Sequence, residues 1–186
     1  MSELQTKPVY QRSVYNRIDD IYVNFSEFII NNDPDSEKLD RYIETVNELY
    51  SEFEQSNKKI PAHLHYIHSI ILIEKSEIKY HDEIKQLLLK SYKECGHSAV
   101  LLFKKYDNQE YTQKIIQELK RFSLLGHTDA QYILGLYHIN RKNDVEEAEK
   151  YYRLLTAYND NRAAYIVHNI KNRINENRSV RLPLLE

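Results

Sequence analysis

Three histidines stand close together in the motif His63-x-His65-x-x-His68, and they are the side chains of this chain best suited to metal chemistry. On a helix, His65 and His68 are i, i+3 neighbours, so two imidazoles can share one ion. A catalytic zinc site needs a third ligand and an ordered second shell, which the sequence does not show. We therefore predict structural or surface histidines, no metal and no cofactor. The alternative is a helical metal-dependent enzyme that uses His63, His65 and His68.

Other catalytic arrangements are sparse in this sequence. Cys95 is the only cysteine, and it falls at the end of a predicted helix, where the helix dipole disfavours a thiolate. The chain has no Gly-rich phosphate loop, no nucleophile elbow and no His-Glu-x-x-His motif. The sequence therefore predicts a protein that is not an enzyme.

The elements that position these side chains are helices, because apolar residues recur with a 3.6-residue period and only three Gly and four Pro interrupt 186 residues. The predicted helices are about 14–30, 34–55, 62–74, 82–95, 98–106, 109–125, 129–140, 145–158 and 162–176. Capping-box spacings at Asp107/Glu110, Thr128/Gln131 and Asp144/Glu147 support three of the starts. Short connectors predict antiparallel hairpins.

A short sequence pattern recurs along the second half of the chain: a Gly or Asn that ends one helix, followed by a small residue that begins the next. It falls at Gly96, Gly126 and Asn159, which are 30 and 33 residues apart. A period in this range indicates stacked helix hairpins. We expect an all-α, right-handed α-solenoid of about four hairpins.

The sequence is expected to form one α-helical domain over 1–186. Its parts are a divergent N-terminal helix pair at 10–60, repeats at 61–176 and an apolar tail at 177–186. The purely apolar runs, such as 70–73 and 99–103, are too short to span a bilayer, and residues 1–8 show no secretory signal. One cysteine fits a reducing compartment, so the predicted location is the cytoplasm, without membrane attachment.

Charge is balanced overall but not locally. The net charge of −2 gives no general attraction to nucleic acid, which is therefore not an expected partner. Residues 33–58 carry eight acidic and three basic side chains, whereas 162–186 carry five basic and two acidic ones. This opposite polarity permits head-to-tail association, so a homo-oligomer is compatible with the sequence.

Residues 126–160 resemble a Sel-like repeat, a branch of the tetratricopeptide-repeat superfamily. The pattern of the first helix matches at Ala130, Leu134, Gly135 and Tyr137, and that of the second at Asp144, Ala148, Tyr151, Tyr152, Arg153 and Asn159. His138 takes the usual aromatic place, and 140–143 replaces the usual Gly-x-Gly turn. The resemblance implies an adaptor or scaffold that binds a protein in a groove lined by the first helix of each repeat, without a shared catalytic residue set.

Two surfaces are predicted to contact that partner protein. The first is the solvent side of the first helices, with Gln131, Tyr132, His138 and Tyr165. The second is the acidic helix near Glu44 and Glu48, where like charges at i, i+4 spacing mildly destabilise a helix. The partner is either a toxin-like protein neutralised by a dedicated inhibitor (an immunity protein), or one of several proteins held by an adaptor.

Six residues are instead predicted to build the repeat itself. Small residues at Ala130, Gly135 and Ala148 let the helices approach closely. The rings of Tyr151 and Tyr152 are expected to fill the space between hairpins, and Leu134 belongs to the same repeat pattern.

Overall fold

The computed structural model describes residues 14–31, 36–106 and 109–175, and within these ranges every regular element is helical. The prediction of an all-α chain is therefore confirmed for the described residues. The helices are α1 (Val14–Ile30), α2 (Ser36–Gln55), α3 (Ala62–Ser76), α4 (His81–Ser91), α5 (Gly96–Tyr106), α6 (Gln109–Leu124), α7 (Thr128–Tyr137), α8 (Val145–Ala157) and α9 (Asn161–Asn175). A π-helical turn, His138–Lys142, extends α7.

The predicted end of α4, at 95 with a stop at Gly96, is wrong. Helix α4 ends at Ser91, because the N–H groups of Glu94 and Cys95 both turn back to donate to the Ser91 carbonyl. Cys95 is buried and precedes α5, so the dipole argument from a preceding helix end does not apply to it. Gly96 is likewise the first residue of α5 and not a helix stop.

The chain divides into two compact units, Met1–Ile84 and Lys85–Glu186, with the boundary inside α4. We call them unit 1 and unit 2. The boundary does not coincide with the predicted division at 60/61. One continuous domain over 1–186 stays a prediction.

Unit 1 is built on α1, α2 and α3, which contact one another in all three pairs. Each helix turns an apolar stripe inward, as its 3.6-residue pattern dictates. The core consists of Ile18, Ile21, Phe25, Phe28, Leu39, Val46, Leu49, Phe53, Leu64, Ile67 and Ile71. Ion pairs join the helices at the surface: Arg17 of α1 pairs with Glu52 of α2, and Lys75 of α3 pairs with Asp40 of α2.

Unit 2 is built around α7. This helix contacts its chain neighbours α6 and α8 and also α5, and α8 in turn contacts α9. Every residue of 130–139 is buried, including the π-helical positions His138 and Ile139. A helix enclosed on all sides must be apolar all round, and this segment contains no Asp, Glu, Lys or Arg.

Three helices end in the same way. After α2, α6 and α8, the residues Asn57, Gly126 and Asn159 adopt the left-handed conformation, with φ of 51°, 86° and 57°. In each case the next N–H donates to a carbonyl five residues back and the left-handed residue's own N–H to one three back, which is the Schellman motif. The predicted stops at Gly126 and Asn159 are therefore confirmed.

The helix starts agree in part with the predicted caps. Asp144 caps α8 by accepting a hydrogen bond from the Glu147 N–H at 3.0 Å, as predicted. The cap of α7 is His127, whose Nδ1 accepts from the Ala130 N–H at 3.3 Å, so the cap predicted at Thr128 lies one residue too far on. Residues 33–34 and 107 lie outside the described residues.

Helices α7 and α8 approach most closely at Gly135. A Cβ atom at this position would lie 2.5 Å from Cε1 and Cζ of Tyr152, a ring that is fully buried. Since real Cβ contacts are never so short, only glycine fits there. Tyr152 therefore fills space within the α7–α8 hairpin, against Gly135 and the Tyr132 ring, and not between hairpins as predicted.

We expect Gly135→Ala to destabilise unit 2 by about 1–3 kcal/mol, because the added methyl overpacks a site whose neighbour cannot move into solvent. Urea unfolding followed by circular dichroism measures this loss. Tyr152→Leu serves as the matched partner in a double-mutant cycle, because it frees the space that the methyl needs. The clash is the wrong explanation if the two losses simply add.

Candidate functional site

Three of the residues predicted to contact a partner are buried. Gln131, Tyr132 and His138 all lie inside unit 2, so the prediction that they form a solvent-exposed surface is wrong. The reason is that α7 has no solvent side: α5, α6 and α8 all pack against it. These three side chains therefore line no solvent-exposed groove.

The buried side chains hold unit 2 together. Gln131 Nε2 donates to the carbonyl of Ser123 at 3.0 Å, which ties α7 to α6. The guanidinium of Arg162 lies over the Tyr132 ring, 5.0 Å from its centroid, and donates to Asp129 at 3.0 Å. Arg162 thereby links the start of α9 to α7, and a cation over an aromatic face adds to the ion pair.

His138 occupies the place in which the repeat pattern usually has an aromatic residue, and its ring behaves like one. It stacks on Tyr151 at 5.6 Å and meets Tyr137 edge-on at 5.4 Å. Burial is the main cause that lowers the pKa of His138, so the neutral imidazole is favoured. Its role in the described structure is packing.

The second predicted surface is exposed. Glu44 and Glu48 both face solvent on α2. Arg17 lies 3.7 Å from Glu48 and also pairs with Glu52, so part of the negative charge on this face of α2 is offset within unit 1. The side chain of Tyr165 lies outside the described residues.

The residues predicted to build the repeat are mostly buried. Ala130, Leu134, Ala148 and Tyr152 are completely buried. Tyr151 is half-buried against His138, which directly follows α7. The missing Gly-x-Gly turn is replaced by the π-helical turn, which ends at Asn143 in the left-handed conformation, with φ of 53°.

The three clustered histidines of α3 do not share one set of partners. Tyr50 Oη and His65 Nδ1 form a hydrogen bond of 2.8 Å, and the buried His68 ring packs against the same tyrosine, 5.6 Å away. His63 instead packs on Tyr22 at 5.2 Å. Burial raises the pKa of the Tyr50 hydroxyl well above its usual range, so this group remains a phenol.

The described residues contain no group of three or more His, Cys, Asp or Glu side chains placed to hold a metal ion. In the same part of the chain, none of the helices combines the length and the apolar character that crossing a bilayer requires.

An exposed apolar patch lies at the ends of α6 and α8, and we call it the leucine–tyrosine patch. Its members are Leu124, Leu125, Leu154 and Tyr158, with exposed fractions between 42% and 86%. A Cβ atom at Gly126 would lie 3.1 Å from Tyr158 Oη, which brings the end of α8 beside the turn that follows Leu125. Leu154 lies one turn before Tyr158 on the same side of α8, and Leu124 and Leu125 directly precede the turn at Gly126.

The sequence analysis missed this patch. The adjacent leucines 124 and 125 fit the apolar pattern of a helix, and Tyr158 falls on a repeat position where tyrosines mostly pack. The signal that could have found it is the position of both groups directly before the left-handed stops Gly126 and Asn159, where the chain turns at the surface.

No family model, no curated protein and no solved structure matches the chain.

We expect His68 to make the stability of the protein depend on pH. Burial, with a smaller effect of nearby His65, lowers the pKa of His68 to about 4. An unfolded histidine titrates near 6.5. Between these values the unfolded chain binds more protons, so the stability falls as the pH falls, by about 3 kcal/mol in total for a shift of this size.

Urea unfolding at about pH 7 and about pH 4 tests this expectation. Between these two pH values, the free energy of unfolding of the wild type should fall by about 3 kcal/mol more than that of His68→Leu, in which an apolar side chain replaces the titrating group. His81→Gln changes an exposed histidine and controls for the substitution itself. An equal pH dependence in the wild type and His68→Leu would contradict the assignment.

Proposed function

We propose that this chain is a non-catalytic helical-repeat protein, of the tetratricopeptide or Sel-like kind, that works by binding another protein. The observation that carries the proposal is the leucine–tyrosine patch of unit 2. The repeat architecture and the binding activity have separate support.

The packing of unit 2 supports the repeat architecture. Helix α7 contacts α5, the corresponding helix one hairpin earlier, as well as its chain neighbours. Ala99, Ala130 and Ala163 stand near the starts of α5, α7 and α9, are 31 and 33 residues apart, and are completely buried. The Schellman ends of α6 and α8 repeat with the same spacing of 33 residues. Equivalent positions at a constant period are typical of stacked hairpins.

The exposure of the leucine–tyrosine patch supports the binding activity. Single exposed apolar residues are normal, but a contiguous group on a folded unit is typical of an interaction site. Tyr158 adds a rigid ring with a hydroxyl at its tip, a side chain that is enriched where proteins meet. The patch replaces the groove surface of Gln131, Tyr132 and His138, and the acidic face at Glu44 and Glu48 is retained as a second candidate surface.

The size of the chain fits two modes of protein binding. A dedicated inhibitor, such as an immunity protein, retains one partner in equal amounts. An adaptor retains several partners, each in smaller amounts. The stoichiometry of the bound proteins therefore separates the two.

We expect a patch variant with Leu124→Asp and Tyr158→Asp to bind its partner at least tenfold more weakly than the wild type. A buried leucine contributes about 1.5–3 kcal/mol, and about 1.4 kcal/mol is tenfold in affinity. Tagged wild type and patch variant are used to capture proteins from a lysate of the source organism, and the captured proteins are quantified by mass spectrometry.

Ile78→Asp is the matched control, because Ile78 is exposed but belongs to unit 1 and is not a member of the patch. Circular dichroism establishes that all three proteins are folded. A protein that is retained by the wild type and by the control but not by the patch variant supports the proposal. If all three retain the same proteins, the patch is not a binding surface.

A further inference from the structure

The two units carry opposite charge. Unit 1 contains 16 acidic and nine basic side chains, whereas unit 2 contains 12 acidic and 17 basic ones. The net charge of −2 therefore hides values of −7 and +5. Opposite net charges favour encounter between a unit 1 and a unit 2 of different molecules.

Helix α1 presents a second stripe on the side opposite its core-facing residues, and we call it the α1 outer stripe. Asp19, Val23, Glu27 and Ile30 follow one another at helical spacing. All four are exposed, with Val23 at 54% and Ile30 at 79%. Acidic and apolar side chains therefore alternate along one line of unit 1.

The leucine–tyrosine patch of unit 2 has the complementary composition. On α8, the exposed Lys150 lies one turn before Leu154, which lies one turn before Tyr158. On α6, the exposed Lys120 lies one turn before Leu124. A basic side chain thus precedes the apolar members on each helix by one turn, the spacing that separates the acidic and apolar members of the α1 outer stripe. Lys150 also pairs with Glu147 of its own helix at 2.6 Å.

We propose that the chain associates with itself head to tail, with the α1 outer stripe of one copy bound to the leucine–tyrosine patch of the next. This inference rests on the proposed function in that it uses the same patch, and it commits to a second copy as the occupant. Apolar residues of the two surfaces bury one another, while Asp19 and Glu27 face Lys120 and Lys150. Because the contact joins two different surfaces, each copy keeps one free surface for a further copy, and the series closes into a ring or extends.

Sedimentation of the wild-type chain over a range of concentrations is the first test. We expect the mass to rise above the 22.3 kDa of one chain. The association should weaken severalfold when NaCl is raised from about 0.1 to about 1 M, because the screening length falls from about 10 to about 3 Å. A mass that stays at one chain throughout overturns the inference.

Two variants test the head-to-tail geometry. The stripe variant carries Val23→Ser and Glu27→Lys, and a second protein, the lysine–leucine variant, carries Lys120→Glu and Leu124→Ser. Each alone should associate at least tenfold more weakly than the wild type. An equimolar mixture should form a complex of two chains and no larger species, because only one intact stripe and one intact patch are available.

Ile78→Ser is the control and should associate like the wild type, since Ile78 belongs to neither surface. If either variant associates as strongly as the wild type, or if the mixture fails to form the two-chain complex, the inference is wrong. The salt dependence of the wild type requires no substitution, so a variant that does not fold leaves that test in place. If the wild type is monomeric but the Tyr158→Asp variant no longer retains a protein that the wild type captures, the proposed function is supported and self-association is excluded.

Discussion

The structure of unit 2 depends on the close approach of α7 and α8 at Gly135, where the Tyr152 ring takes the space that any side chain would need. With this contact made, α7 is enclosed by its neighbours, and Gln131 donates from Nε2 to the Ser123 carbonyl inside the unit. The exposed apolar surface of unit 2 lies instead at the ends of α6 and α8.

In unit 1, the neighbouring helices pack against an acidic helix, α2. Helix α2 carries like charges along one face, a mildly unfavourable arrangement for an isolated helix. Arg17 of α1 and Lys75 of α3 reach α2 from either neighbour and offset part of that charge. Such exposed pairs contribute little individually, and the apolar core beneath them supplies most of the stability. The acidic side chains at the surface of α2 contribute to the net negative charge of unit 1.

Much of the fold follows from the sequence, because amphipathic period and stop residues are local signals. Helix α1 has the predicted bounds, and the stops at Gly126 and Asn159 are left-handed. The environment of α7 was not predicted, since a resemblance to a repeat suggested a solvent side for it. The uncharged run 130–139 was the available clue. No local sequence signal predicted the π-helical turn. The exposure of Leu124 depends on where the neighbouring helices lie, so it can be read only from the folded structure.

The complete enclosure of α7 also has a consequence for the motions of unit 2. Its amides reach solvent only when α5, α6 and α8 separate from it, so hydrogen exchange in α7 reports the opening of the whole unit and not local fraying. The turns after α6 and α8 lie at the surface and can open at much smaller cost. The unit therefore combines a slowly exchanging centre with edges that adjust rapidly to whatever they contact.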